Sequence, residues 1–399
     1  MLAGPRIGIR LAGRMTVLER PLVIVGDVHL SHAGTREKGD ALAKLVRLHP
    51  GAEIILNGDI FNLSLDPPSA DPARSMLEML EPERELRDAL RAHLQTGNPL
   101  SILPGNHDAA LASSGTRSAL LAWLELGQNA PLNVCAWFLR RGGIHVEHGH
   151  AYDPDNAPTH PLSIPGPKSE PLGVALTRRF LAPNRAFDFA HATEITPLEA
   201  LLRAVRVFGT RMPVLLVRYF ATAGNFCREA GWSEELLAEL RAGDARVEAF
   251  ANEAGLDPAF VRALLDDRPR PTHESSERAF FRLYFDRVVS AGAVGAGLAG
   301  ALLGRSGTPL GLALAGGLYL AESRRRGANR YEGLPVRRLR AAAGQVRELT
   351  RAELVIFGHT HVAENERGYL NPGSFTYRAG RGRPYAYVSR DSGAERREI

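Results

Sequence analysis

The chain has 399 residues and the composition of a folded globule, which excludes a disordered tail and allows one large domain or two smaller ones. A formal net charge of +5 favours an anionic substrate or surface. No Lys-rich tract and no interleaving of basic with aromatic residues points to a specific nucleic-acid partner. Two cysteines, Cys135 and Cys227, are too few for a disulfide framework or a thiolate zinc site and read as small core residues. Arg6, Arg10 and Arg14 interrupt the first stretch, so no signal peptide is expected there and a cytoplasmic location is.

Residues 1 to 20 carry little pattern. Leu22 to Val25 then form a short β-branched run suited to a buried parallel strand, ended by Gly26 and followed by Asp27 and His29. In extended backbone those two side chains point the same way and could face one cation. Glu37 to Leu48 has the spacing of a short amphipathic helix. Ile55 and Leu56 read as the end of a second buried strand, Gly58 as a tight turn, and Asp59 as a residue just beyond the carboxyl end of that strand. Taken alone, Asp59 reads equally well as a turn or capping residue. Strand, helix, strand with a polar residue at each strand end is the pattern of a layered α/β domain.

Residues 66 to 74 read as a surface loop, Glu83 to Leu94 as a helix with Leu86, Leu90 and Leu94 on one face. Leu100 to Leu103 is a strand followed by Pro104-Gly105, then Asn106, His107 and Asp108. Thr116 to Leu126 reads as helix. Ile144 to His150 reads as a further strand whose end carries His148 and His150, with His145 out of phase and read as structural. The proline-rich residues 153 to 171 form a loop or a boundary.

The middle of the chain reads as mostly helical. Thr196-Pro197-Leu198-Glu199 and Asp257-Pro258 are helix starts, and Leu201, Leu202, Val205 and Phe208 could share an apolar face. Val288 to Ala321 contains one charge, Arg305, and many small residues, with Gly300 and Gly304 spaced for close helix packing. Three readings stand: a buried or self-packed helical hairpin, an interfacial or re-entrant membrane hairpin, and a true span. Arg324, Arg325 and Arg326 follow at once and favour anionic headgroups. Leu354 to Phe357 is a strand, then Gly358, His359 and His361. Tyr369 to Asn371 ends in a tight turn, Tyr385 to Ser389 is a short strand, and the last residues read as frayed.

Six strand ends or loops thus carry Asp27 and His29, Asp59, Asn106 and His107, His148, His359 and His361, and Asn371. Mixed nitrogen and oxygen donors suit Mn2+, Fe2+/Fe3+ or Zn2+ better than magnesium alone or calcium. Two divalent metal ions sharing one carboxylate is the economical arrangement, and such pairs clamp the oxygens of an in-line displacement at phosphorus. The opposing reading is a metal-free protein with scattered histidines.

In their order, GDVH, NGD, GNHD, HGH and GHTH resemble the motifs of the calcineurin-like metallophosphoesterase superfamily. The resemblance covers roughly residues 20 to 152 and 350 to 391 and leaves out 175 to 345, expected as a helical insertion or cap with the Gly-rich hairpin at 288 to 321. It implies an α/β four-layer sandwich, two mixed β-sheets flanked by helices. It implies that Asp27, His29 and His361 hold the first metal, that Asn106, His148 and His359 hold the second, and that Asp59 bridges. A hydroxide between the metals would attack phosphorus. His107 would stabilise the transition state or protonate the leaving oxygen, oriented by Asp108. Asp27-Val28-His29-Leu30 with Gly58-Asp59-Ile60-Phe61 resembles the branch of UDP-2,3-diacylglucosamine pyrophosphatases. The chain departs from that branch in having His107 where those enzymes usually have Arg, and in its longer insertion. The expected activity is hydrolysis of a phosphoester, lipid-linked or pyrophosphate, with peripheral contact at a membrane. The alternatives are a soluble nucleotide phosphodiesterase, a protein phosphatase, and a metal-binding scaffold without turnover. Oligomeric state is left open.

Overall fold

The computed structural model describes residues 7–9, 18–34, 36–67, 70–186, 202, 205–304, 307–325, 333–376, 382–390 and 393–399. Two mixed β-sheets form the frame. The strands of the first are β1 (Ile7–Ile9), β2 (Leu22–Val25), β3 (Glu53–Asn57), β4 (Leu100–Leu103), β5 (Leu132–Val134), β11 (Pro384–Val388) and β12 (Ala394–Glu398), in the order β1-β12-β11-β2-β3-β4-β5. β2 to β5 run parallel, and the two C-terminal strands and β1 join antiparallel. The second sheet has β6 (Leu139–Arg141), β7 (Ile144–Val146), β8 (Leu354–Ile356), β10 (Tyr369–Asn371) and β9 (Glu364–Glu366), in the order β6-β7-β8-β10-β9. β8 is parallel to both β7 and β10, so the second half of the chain completes a sheet begun by the first.

Alternation along each strand explains the layering. Successive side chains leave a strand on opposite faces. Leu22, Ile24, Ile55, Ile144, Val146, Leu354, Ile356 and Leu370 fill one core, between the sheets. Val23, Val25, Ile54 and Leu56 point the other way. They pack on helices α1 (Glu37–Leu48), α2 (Pro72–Leu80), α3 (Arg84–Gln95) and α4 (Ser114–Trp123) through Leu42, Leu45, Met76, Leu86, Leu90 and Leu120. On the far side of the second sheet, Phe138, Val355 and Phe357 meet Phe250, Val261 and Leu264 of helices Val247–Ala254 and Pro258–Asp267, and Leu339 and Val346 of helix Leu334–Thr350. The result is helices, sheet, sheet, helices, with a large helical insertion between β7 and β8.

The chain divides into two compact units. One comprises residues 1–178, 233–271 and 335–399 and holds both sheets. The other comprises 179–232 and 272–334 and is helical wherever it has regular structure among the described residues. In this second unit, helices Phe285–Leu302 and Thr308–Arg325 lie antiparallel as a self-packed hairpin. A Cβ on Gly297 would come within 2.3 Å of the Pro309 carbonyl oxygen, and one on Gly316 within 2.5 Å of the Ser290 carbonyl oxygen, so glycine sets the close approach. Gly300 also faces Pro309, whereas Gly304 has positive φ and follows the end of the first arm.

Several expectations are corrected. Residues 66 to 74 are not wholly loop, because Asp71 accepts the Ala73 N–H at 3.0 Å and Pro72 occupies the first position of α2. The residues before Pro21 contribute β1, and the C-terminus is not frayed: β12 pairs with β11 and β1, and the Arg397 guanidinium lies over the Tyr387 ring at 3.7 Å. Leu202 and Val205 are exposed and form no inward face, while Phe208 packs beside Phe180 and Leu181. Leu201 and the helix start at Thr196 to Glu199 lie outside the described residues. Asp257 caps its helix as expected, accepting the Ala259 N–H at 2.8 Å.

Candidate metal centre

The loops that follow β2, β3, β4, β7 and β8 converge beyond the carboxyl ends of these parallel strands. Asp27, His29, Asp59, His359 and His361 all have positive φ, between 51° and 66°. A non-glycine residue costs about 1–2 kcal/mol there, and such strain gathers where a side chain must be aimed. Backbone bonds hold the turns: Asp27 N–H to the Gly58 carbonyl at 3.0 Å, and His29 N–H to the Asp59 carbonyl at 2.9 Å. Gly58 is required, because its φ is +74° and a Cβ would stand 2.5 Å from the His148 ring. Gly105 is required because a Cβ would stand 2.2 Å from Asp59 Oδ1.

Two groups of side chains each bring their ligand atoms within 4.8 Å of one another: Asp27, His29 and His361, and Asp27, Asp59 and His148. Two such groups suggest a dinuclear metal site. Asp27 Oδ1 lies 3.0 Å from His361 Nε2, and His29 Nε2 lies 3.5 Å from the same nitrogen. Asp59 Oδ2 lies 3.4 Å from His148 Nε2, while its Oδ1 accepts the His107 N–H at 2.8 Å. Asp27 belongs to both groups, and Asp59 lies in the second. His148 donates Nδ1–H to the Asn57 carbonyl at 2.9 Å, which turns Nε2 toward the carboxylates. Asn106 is buried, and its Oδ1 has no hydrogen-bond partner while its amide nitrogen donates to Asn156 Oδ1 at 3.2 Å. A buried amide oxygen without a donor is costly unless a cation takes it, and the surrounding oxygen and imidazole donors suit a divalent ion.

His359 reaches the cluster but lies outside both groups. Its N–H donates to Asp27 Oδ2 at 3.3 Å, its ring lies 5.4 Å from that of His148, and its Nε2 meets Asp153 Oδ2 at 3.1 Å. His150 is buried beside His148 at a ring separation of 5.4 Å, with Nδ1 unpartnered. His145 is out of the site, bonded to Glu147 together with the Trp137 indole. Asn371 supports the GHTH loop by donating to the Gly358 carbonyl at 2.7 Å.

The expected pairing of Asp108 with His107 is not formed. The Asp108 carboxylate accepts four backbone N–H groups, from Gly105, Asp59, Ile60 and Phe61, at 2.6 to 3.1 Å. It ties the NGD loop to the GNHD loop. The partner of His107 is Ser64, whose Oγ lies 2.5 Å from Nδ1. Sequence reasoning missed Ser64, Asp153 and Asn156. Asp153 joins His359 to Asn156, and Asn156 joins Asn106, so the proline-rich loop belongs to the site. The available signal was the position of Asp153, three residues after His150.

Burial drives the electrostatics. It pushes His29 down to about 3, against the pull of Asp59, and holds His107 and His150 low as well. Neutral imidazole is the form that ligates metal. For Asp59, burial favours the neutral acid, but the imidazoles of His148 and His107 outweigh it and hold the carboxyl well below its usual range. Burial pushes Asp108 up to about 7, with repulsion from Asp59 adding to it and the backbone donors opposing it.

Residues 20–176 match the calcineurin-like phosphoesterase family. That segment is similar to calcineurin-like metallophosphoesterases. The matched segment carries Asp27, His29, Asp59, Asn106, His107 and His148 and ends before His359 and His361, which the fold brings to the same cluster. Comparison with curated proteins and with solved structures finds no match.

Proposed function

We propose that the chain hydrolyses phosphoesters with two divalent metal ions, Mn2+, Fe2+/Fe3+ or Zn2+. The observation that carries this is the convergence of Asp27, Asp59, the unpartnered Asn106 amide oxygen and imidazoles from both ends of the chain. In this reading Asp27, His29 and His361 hold one ion, Asn106, His148 and His359 the other, and Asp59 serves both. When bound, the ions polarise the phosphoryl oxygens and activate water. The protein does the rest. The left-handed turns fix the two carboxylates before any ion arrives. Asn57 holds the His148 tautomer, and Asp153 holds His359. Asp108 locks the loops together from behind. His107 is held by Ser64 at Nδ1, so Nε2 is the atom assigned to meet the phosphoryl group and give its proton to the leaving oxygen.

The catalytic core in this proposal is 20–152 with 350–391, and 175–345 is the insertion. The proposed substrate is lipid-linked, with a phosphoester or pyrophosphate bond, as in the UDP-2,3-diacylglucosamine pyrophosphatase branch, handled at the cytoplasmic face of a membrane. The exposed apolar arms of the insertion support this over a soluble nucleotide or phosphoprotein. The test is turnover by manganese-loaded protein. Bis-p-nitrophenyl phosphate should be hydrolysed, a UDP-linked diacyl sugar should be preferred over UDP-glucose, and His107→Ala should abolish both activities. Retention of full activity by His107→Ala would refute the assigned role.

A further inference from the structure

The hairpin Phe285–Arg325 presents far more apolar surface than its own packing uses. Leu302 and Leu303, where the first arm ends, are 89% and 79% exposed. Val288, Val289, Leu298, Leu310, Leu312, Leu314 and Leu318 are exposed along both arms. Only Asp286 and Gly297 are buried in the first arm, and Ala313, Gly316 and Ser323 in the second. A helix apolar on all sides belongs in a protein core or in lipid. With 11% of Phe285–Leu302 buried among the described residues, this arm is not part of the core of this chain.

Most of the charge lies at one end of the hairpin. Each arm has 18 residues, about 27 Å of helix, close to a hydrocarbon layer of roughly 30 Å. Asp286, Arg287, Glu322, Arg324 and Arg325 all sit at the end opposite Leu302 and Leu303. Between Val288 and Ala321 the sequence has no charge but Arg305, which falls between the two arms. Within each arm the helix pairs the interior backbone groups, as lipid demands. The polar side chains near the base are also satisfied: Ser290 Oγ donates to the Asp286 carbonyl at 2.7 Å, and the Tyr319 hydroxyl donates to Asp286 Oδ2 at 2.5 Å. Arg324 and Arg325 are exposed at that base, and Arg326 continues the run in the sequence. These are the groups that meet anionic headgroups.

From this geometry we infer that the hairpin is a membrane anchor that enters an anionic bilayer with Leu302 and Leu303 leading and Arg324 and Arg325 at the headgroups. A second copy of the chain would need one apolar face with a polar rim, whereas here apolar side chains surround both arms. The anchor does not depend on the hydrolase reading.

The test is flotation of the full chain, metal-loaded and metal-free, with vesicles of seven parts phosphatidylcholine to three parts phosphatidylglycerol. Wild type should float in both states. Leu302→Asp with Leu303→Asp, at strongly exposed positions, should weaken partitioning by about tenfold or more per leucine. The double variant's circular dichroism should be unchanged. Arg324→Glu with Arg325→Glu should weaken binding to these vesicles and leave binding to pure phosphatidylcholine unaltered. A single tryptophan at Leu302 should be quenched by lipids brominated deep in the acyl chain, and one at Val289 by lipids brominated near the headgroup. Equal shallow quenching at both positions would overturn tip-first entry. Wild type that stays with the vesicle-free fraction, or that is dimeric by light scattering and becomes monomeric on Leu302→Asp, would overturn the anchor. Failure of hydrolysis with flotation intact would count against the enzyme alone.

Discussion

Asp27 Oδ1 and His361 Nε2 stand 3.0 Å apart, although one ends the first parallel strand and the other follows a strand near the far end of the chain. The contact requires β8 to be laid beside β7 in the second sheet. His361→Ala should therefore lose one metal ion and lower kcat/KM by at least about a hundredfold, with little change in melting temperature of the metal-free protein. Retention of two ions by that variant would remove His361 from the ligand set.

Asp108 and Ser64 should separate by what they damage. Asp108→Ala leaves four buried N–H groups without an acceptor and should cost about 3 kcal/mol or more of stability. The loss would be read as a large drop in urea midpoint. Ser64→Ala frees one face of the His107 ring and should leave the midpoint nearly unchanged while lowering kcat about tenfold at constant metal content. The reverse pattern would return Asp108 to the role of orienting His107.

Proton release on metal uptake follows from His148. Burial opposes its charge, but the Asp59 carboxylate outweighs burial and raises it from 6.5 to about 10. In the metal-free protein the pair therefore adds stability fully below pH 6.5 and loses it as pH rises through about 10. Asp59 is shifted down by the same contact, so its contribution is present above 3.8 and is lost only as pH falls below that. This is one interaction seen from both partners. A metal ion must displace the His148 proton, so manganese affinity should rise with pH across 6 to 9. Titration calorimetry at pH 7.5 in buffers of different ionisation enthalpy should show about one proton released per chain. No dependence on the buffer would contradict the assignment of His148 as a ligand.

The sequence made the strands before Asp27, Asp59 and Asn106 legible, because buried parallel strands are rich in apolar residues and these three stop at Gly26, Gly58 and Pro104; β5, β6 and β9, three residues each, were too short to read. The bounds of α1 are those its spacing predicts. Less visible was anything decided by loops meeting in space. Ser64 sits in a short turn with no periodicity, and Asp153 in a proline-rich run, yet each holds a site histidine. The family resemblance implied that Asp108 orients His107, whereas its carboxylate accepts backbone N–H groups of the NGD and GNHD loops. The left-handed turns at Asp27 and Asp59 were also illegible, since non-glycine residues give no sign of positive φ.

Gly58→Ala isolates that strain. The new Cβ would stand 2.5 Å from the His148 ring at a φ of +74°. It should displace His148 and cost one metal ion, with a loss of about 1–3 kcal/mol in stability. Normal metal content in Gly58→Ala would mean that the ring is free to move aside.

The central claim is that one cluster, built from both ends of the chain, holds two ions. The most direct measurement is metal content by mass spectrometry after reconstitution with manganese and removal of loose ions, on wild type and on Asp59→Ala. The account predicts close to two ions per wild-type chain. In Asp59→Ala it predicts loss of most of that metal, together with phosphodiester hydrolysis. Wild-type protein that retains no transition metal after manganese addition would contradict it, as would an Asp59→Ala protein that still carries two.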